Sequence, residues 1–172
     1  MCGGDWLTQS IATQPPAITL RDGRVLTYME SKIELAWMDI AFAFASRMSK
    51  DPRTQVGAVI VSPDHRHFSV GYNGFPSGVC EDSHLWEAPE KYERVIHAEV
   101  NALLNCPFDT KGCKVYCTHE PCHRCHGAMI NAGIVEVVYA QPYMRNPRRD
   151  ITREFSARLP IRQLDYPIPP SV

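Results

Sequence analysis

His97 and Glu99 stand two apart, and Cys122 and Cys125 stand three apart further along, directly after Pro121. Imidazole nitrogen and thiolate sulfur are donors that a tetrahedral zinc ion takes, and a catalytic zinc keeps one of its four positions for water. His97, Cys122 and Cys125 supply three ligands and leave that fourth place open. Glu99 supplies a carboxylate, for which a purely structural zinc site has no use. A carboxylate there can take a proton from water and return protons to a substrate. The chemistry this set points to is metal-assisted hydrolysis. A Cys-x-x-Cys alone is a weak signal, compatible with redox work; with His-x-Glu upstream it reads as a metal site. His119 and His123 are alternative ligands close by, in a sphere whose three protein positions are already filled. Cys113 and Cys117 read as buried core thiols, and Cys80 with His84 as a candidate second metal pair.

Both key segments open helices, since each follows a strand or loop and precedes an apolar-periodic run. Helix N-termini carry partial positive charge and unpaired N–H groups, which favour ionised thiols. The reading of the remaining chain follows from positioning them. Ile18 to Arg21, Asp22-Gly23 and Arg24 to Tyr28 suit a short hairpin, because Asp-Gly fits a type I′ turn. Ser31-Lys-Ile-Glu34 has the form of a capping box. A helix is expected from there to about Ser49, with Ile33, Met38, Phe42, Ala45 and Met48 on its apolar face, ending before Asp51-Pro52. Val56 to Val61 is a continuous apolar run of strand length, as for a strand buried on both faces. His67 to Tyr72 reads as its antiparallel partner. Val79 to Val95 is loop-like, anchored by Trp86 and Tyr92. His97 to Asn105 is a helix and Cys113 to Thr118 a strand. Pro121 suits the first turn of a helix over Cys122–Ala132 that Gly133 ends. Ile134 to Ala140 is a buried strand; a short helix near Arg149–Arg158 and an edge strand near Ile161–Leu164 follow. Alternating strands and helices argue for a layered α/β domain with a mixed sheet.

The 172 residues, 44% hydrophobic and 22% charged, are those of one ordinary globular domain. Seven cysteines, an odd number, favour metal binding over a disulfide framework. The start lacks the basic and apolar stretches of a signal peptide, and no apolar run approaches a membrane span of roughly 18 residues. A cytoplasmic location is expected. A net charge of −1 gives no overall footprint for nucleic acid, although arginines crowd the segment from Arg145 to Arg162.

Four segments carry a family resemblance: Ser49-Lys-Asp-Pro-Arg-Thr-Gln-Val-Gly-Ala58, Gly71-Tyr-Asn-Gly-Phe-Pro-Ser-Gly78, His97-Ala-Glu-Val-Asn-Ala102 and Thr118-His-Glu-Pro-Cys-His-Arg-Cys125. The last two match the H-x-E…P-C-x-x-C signature of zinc-dependent nucleobase deaminases. With the first two, the stretch from about Ser46 to Tyr143 resembles the deoxycytidylate (dCMP) deaminases. The resemblance implies a three-layer α/β/α cytidine-deaminase-like fold with a central mixed five-stranded sheet, and hydrolysis of dCMP to dUMP with ammonia released. It implies a catalytic Zn2+ on His97, Cys122 and Cys125, and Glu99 as proton carrier. Asn73 matches the residue that holds the sugar hydroxyl, and Ala98 the one whose backbone amide meets the pyrimidine oxygen. Tyr143 is a further candidate substrate contact. Members are commonly hexamers, activated by dCTP and inhibited by dTTP with Mg2+; Gly74, Phe75, Pro76, Ser77 and Gly78 resemble part of that effector site. Arg124, Arg145 and Arg148 are candidate phosphate contacts. His119-Glu120 departs from the small or apolar residue often found before Pro-Cys.

The expected organisation is an N-terminal extension over 1–30, a deaminase domain over 31–165 and a tail over 166–172. The expected partners are a deoxynucleotide substrate, dCTP and dTTP as effectors, and further copies of the chain, with neither membrane nor nucleic acid. Two rivals stand beside this reading. One is a deaminase acting also on dCTP or on a tRNA base; the other is a non-catalytic zinc-containing nucleotide sensor or scaffold, against which Glu99 counts.

Overall fold

The computed structural model describes residues 18–19, 25–26, 28–144 and 146–168, and divides the chain into two compact units, Met1–Glu34 and Leu35–Val172. In the first, β1 (Ile18–Thr19) pairs antiparallel with β2 (Val25–Leu26), Ile18 opposite Leu26. The Asp22-Gly23 turn, Pro15-Pro16 and the segment 169–172 lie outside the described residues. There follow α1 (Tyr28–Met48), β3 (Gly57–Val61), β4 (Phe68–Tyr72), a 3-10 turn (Ser83–Trp86), α2 (Glu90–Arg94) and α3 (Ala98–Leu104). Then come β5 (Lys114–His119), α4 (His123–Asn131), β6 (Glu136–Gln141), α5 (Arg149–Phe155) and β7 (Ile161–Gln163).

The five-stranded sheet has the order β4-β3-β5-β6-β7. β3 is antiparallel to β4 and β5, whereas β5, β6 and β7 run parallel, joined by α4 and α5. Alternate residues of each strand go to opposite faces, as strand geometry requires. Ala58, Ile60, Val115, Cys117 and Val137 pack with Ala98, Ala102 and Met129 on one face. Val59, Val61, Tyr116 and Val138 pack with Met38, Ala41 and Phe42 of α1 on the other. The fold is therefore a three-layer α/β/α sandwich around a mixed five-stranded sheet, with Cys113 and Cys117 as fully buried core thiols.

Several expectations change. α1 begins at Tyr28, so Ser31 lies within the helix and is not its N-cap. Ile33 and Met48 are 37% and 46% exposed; at 3.6 residues per turn Ile33 lies about 140° round from Met38, outside the buried stripe. Tyr92 is 69% exposed on α2, so it anchors nothing, whereas Trp86 is buried and stacks on Phe75 at 4.2 Å. Pro121 precedes the N-cap of α4, which is Cys122, instead of occupying the first turn. Gly133 ends α4 as expected: at φ 76° it and Ile134 return N–H bonds to Ile130 O and Met129 O at 3.0 and 3.1 Å, a Schellman motif. Tyr166, expected in the tail, stacks on Phe42 at 4.9 Å and donates its hydroxyl to Asp39 at 2.6 Å.

Candidate active site

Strand register brings the chemistry to one edge of the sheet. Gly57 lies opposite Tyr72, Ala58 opposite Cys117, and His119 opposite Gln141. The start of β3 and the ends of β4, β5 and β6 thus share an edge, and α4 departs from it. α3 is held against β4 by the Ser69 hydroxyl donating to Ala102 O and the Asn101 amide donating to Tyr72 O, both at 2.8 Å. Gly71 makes that approach feasible: a Cβ there would lie 2.2 Å from Ala98 O and 2.3 Å from Ala102 N.

His97 and Cys122 are the N-caps of α3 and α4, and neither side chain makes a capping bond. Ser, Thr, Asp or Asn would stabilise each helix start by about 1 kcal/mol. Instead, imidazole and thiol turn toward each other. His97 Nδ1 lies 3.6 Å from Cys122 Sγ and 3.3 Å from Cys125 Sγ, and the three donor atoms lie within 4.8 Å of one another. A tetrahedral zinc with Zn–N near 2.0 Å and Zn–S near 2.3 Å separates its nitrogen and sulfur ligands by about 3.5 Å. The residues present therefore fit zinc in both donor chemistry and spacing. Among the described residues this is the only group of three or more His, Cys, Asp or Glu donors so arranged. His119, His123, Cys80 and His84 do not join such a group.

The two thiols titrate apart. Cys122 is held down to about 3, first by its hydrogen bond with Cys125 and then, against burial, by that with His97. The same contact with Cys122, with burial, pushes the Cys125 thiol up. Pairing with Cys122 raises His97. Glu99, in the first turn of α3, is buried. Burial pushes its carboxyl above the usual range, against the opposing pull of His97. A carboxyl shifted toward neutrality is suited to holding and releasing a proton near physiological pH.

The cytidine and deoxycytidylate deaminase zinc-binding region model matches residues 31–141. The chain belongs to that family. Deoxycytidylate deaminases of Pongo abelii and Homo sapiens are 39% identical over 130 residues, covering 72% of this chain and 70% of theirs. The chain is also similar to the dCMP deaminase of cyanophage S-TIM5, crystallised with dCMP and dUMP: 29% identity, TM-score 0.64, covering 77% of this chain and 97% of the other.

The remaining expected site residues are placed as follows. Ala98 is the first residue of α3, so its N–H has no acceptor within the helix. Asn73 is buried at the end of β4 with its amide fully engaged. Its oxygen accepts from Ser49 Oγ at 2.7 Å and Val56 N at 2.8 Å, and its NH2 donates to Asp51 Oδ2 at 3.1 Å and Thr54 O at 2.9 Å. That is the whole capacity of an asparagine side chain; direct contact with a sugar hydroxyl requires one partner to be displaced. Gly74 is bridged to Ile96 and Phe75 is buried under Trp86, while Pro76, Ser77 and Gly78 form an exposed turn with Gly78 at φ 81°. Arg124 is exposed, Arg148 is paired with Asp150 at 3.1 Å, and Arg145 lies outside the described residues.

The roles of Asp51, Lys91 and Arg149 were not foreseen. Asp51 is buried; one oxygen accepts from Arg53 N and Thr54 N, and the other meets Lys91 at 2.5 Å. Its loop is thereby tied to α2. A buried acid answered by a lysine forty residues on has no local signature.

Proposed function

We propose that this chain hydrolyses dCMP to dUMP and ammonia, supplying dUMP for thymidylate synthesis. The observation that carries this reading is the buried carboxyl of Glu99, two residues from His97 in a cluster with Cys122 and Cys125. Similarity to deoxycytidylate deaminases along most of the chain supports the choice of substrate.

His97, Cys122 and Cys125 would hold zinc, which when bound would supply the Lewis acidity that makes water nucleophilic at neutral pH. Glu99 takes a proton from the attacking water, protonates the ring nitrogen and then delivers a proton to the departing amine. The amine-bearing carbon exchanges its C–N bond for a C–O bond, so water and dCMP become dUMP and ammonia. The Ala98 N–H meets the pyrimidine oxygen, and Asn73 stands on the sugar side with the loop it holds. Tyr143 lines the side next to β6.

The reading extends to regulation by dCTP as activator and dTTP as inhibitor at the Gly74–Gly78 loop, with the exposed Pro76, Ser77 and Gly78 facing the effector. Mg2+ would enter there on the effector's phosphates, as that ion usually does. Assembly into a homo-oligomer, a hexamer as in the family, belongs to the same proposal. So does a cytoplasmic location, supported by free cysteines throughout the described residues.

Ammonia release from dCMP, dCTP and deoxycytidine by zinc-loaded protein tests the proposal. Release from dCMP is expected; none, with or without dCTP, overturns it. Turnover of dCTP at comparable kcat/KM moves the reading to the triphosphate. Kinetics unchanged across dCTP and dTTP titrations remove the effector site.

A further inference from the structure

Glu120 and Arg149 form an ion pair around the backbone of one residue beside the site. Glu120 lies two residues before the ligand Cys122, and its side chain is 12% exposed. Its Oε2 accepts the Tyr143 N–H at 3.1 Å and meets Arg149 Nη2 at 3.3 Å. The same Arg149 nitrogen donates to Tyr143 O at 2.9 Å. Tyr143 is therefore gripped at both its N–H and its C=O, by a carboxylate on one side and a guanidinium on the other. Two more bonds close the frame. The Glu120 N–H donates to Gln141 O at 2.7 Å, and the Asn146 N–H donates to Tyr143 O at 3.1 Å.

We propose that Glu120 and Arg149 are positioning residues that fix the backbone of Tyr143 against the Cys122 loop, and so set the substrate-pocket wall after β6. The frame joins three pieces that nothing in local sequence holds together: the turn between β5 and α4, the exit of β6, and the first residue of α5. Charge-assisted hydrogen bonds are shorter and stronger than neutral ones, and one on each of the two peptide units that flank the Tyr143 Cα holds its backbone from both sides. Because Glu120 is bound by main chain and side chain to the same strand exit, a displacement of Tyr143 is passed to a residue two steps from a metal ligand. Glu120 therefore ties the strand exit that carries Tyr143 to the loop ahead of Cys122. Neither residue touches substrate; both act through Tyr143. The pocket's identity rests on the deaminase reading above, whereas the clamp itself does not.

The experiment uses the zinc-loaded full chain carrying Glu120→Gln, Arg149→Met or Arg149→Lys, with dCMP kinetics and amide hydrogen exchange over residues 141–146. Glu120→Gln and Arg149→Met are expected to raise KM by roughly five- to tenfold with kcat within about twofold of wild type, since uniform binding is lost and the chemical step is spared. Arg149→Lys keeps a cation able to reach the carbonyl and should recover most of the loss. The Tyr143 amide should exchange faster in Glu120→Gln. Unchanged KM in both variants alongside a lowered Tm would make the pair a structural brace only, and overturn the proposal. Unchanged exchange would overturn the clamp itself. If wild-type protein does not turn over dCMP, the deaminase reading fails, and the exchange data still decide the clamp.

Discussion

Replacing Gly71 with alanine tests how tightly the sheet positions the reacting groups. The added Cβ would sit 2.2 Å from Ala98 O, 2.3 Å from Ala102 N and 2.9 Å from Ala102 Cα. All three are backbone atoms, so no side chain can swing aside. Restoring ordinary contact requires α3 to retreat by about 1 Å, because close-packed interiors have no slack to absorb the overlap. α3 carries Glu99 in its first turn and His97 as its N-cap, whereas Cys122 and Cys125 ride on α4 and stay behind. A misplacement of about 1 Å costs about 100-fold in rate where geometry governs the step. Overpacking should also lower stability by about 1–3 kcal/mol. The measurements are kcat/KM for dCMP, zinc content, and urea unfolding. Gly112→Ala is the control: at φ 81° it is strained, but its Cβ meets only Pro63 Cγ at 3.6 Å. It should lose about 1–2 kcal/mol of stability and keep its kcat. Wild-type kcat/KM in Gly71→Ala would refute the claim that this contact places α3.

Glu99→Gln should keep its zinc and lose about 10²–10⁴-fold in kcat, read by ammonia release with metal analysis in parallel; retained turnover removes the assigned role. Cys125→Ser should lose zinc on dialysis. Stripping zinc from wild type should lower stability by about 2.7 kcal/mol relative to protein held at 100 times its Kd in free zinc; a Tm insensitive to chelator would count against the ligand set. Tyr166→Phe should cost about 0.5–1.5 kcal/mol, by losing the bond to Asp39 while keeping the stack on Phe42. Burial and the Asp39 carboxylate push the Tyr166 hydroxyl up to about 12 from 10.0. The proton-bearing form is thus the one the fold favours: its contribution is complete below pH 10 and is lost as pH rises through about 12. Alkaline unfolding curves of Tyr166→Phe should lack that loss; identical curves would contradict it.

The metal cluster was legible because its information is local. His97-x-Glu99 and Cys122-x-x-Cys125 each lie within one helical turn, and only their meeting needed the fold. Strands β3 and β6 were legible from apolar runs, since both faces of the sheet are covered. What the sequence hid is relational. The start of α1 at Tyr28 competes with a good capping box at Ser31, and local propensity yields to the longer helix. The Asn73 amide looks free to bind a sugar until the Ser49–Val56 segment is folded over it. Glu120 was visible as an unusual residue, but its reason lies in Arg149, which comes near only once α5 is placed. Gly57 and Gly71 read as ordinary strand residues, although a Cβ at Gly57 would lie 2.0 Å from Ala41 O.

The bond between Tyr166 and Asp39 spans 127 residues of chain, and this bears on the order of events at the ribosome. α1 emerges long before the strands and the residue that cover its inner face. Met38, Ala41 and Phe42 must wait for β3, then β5 and β6, and finally for Tyr166 to cap Phe42. During synthesis at about 5–20 residues per second, that interval lasts several seconds. The nascent helix thus carries a partly uncovered apolar stripe until Tyr166 is made. Slowed translation downstream would lengthen that exposure, and a holdase chaperone that recognises apolar helical stripes would find its opportunity there.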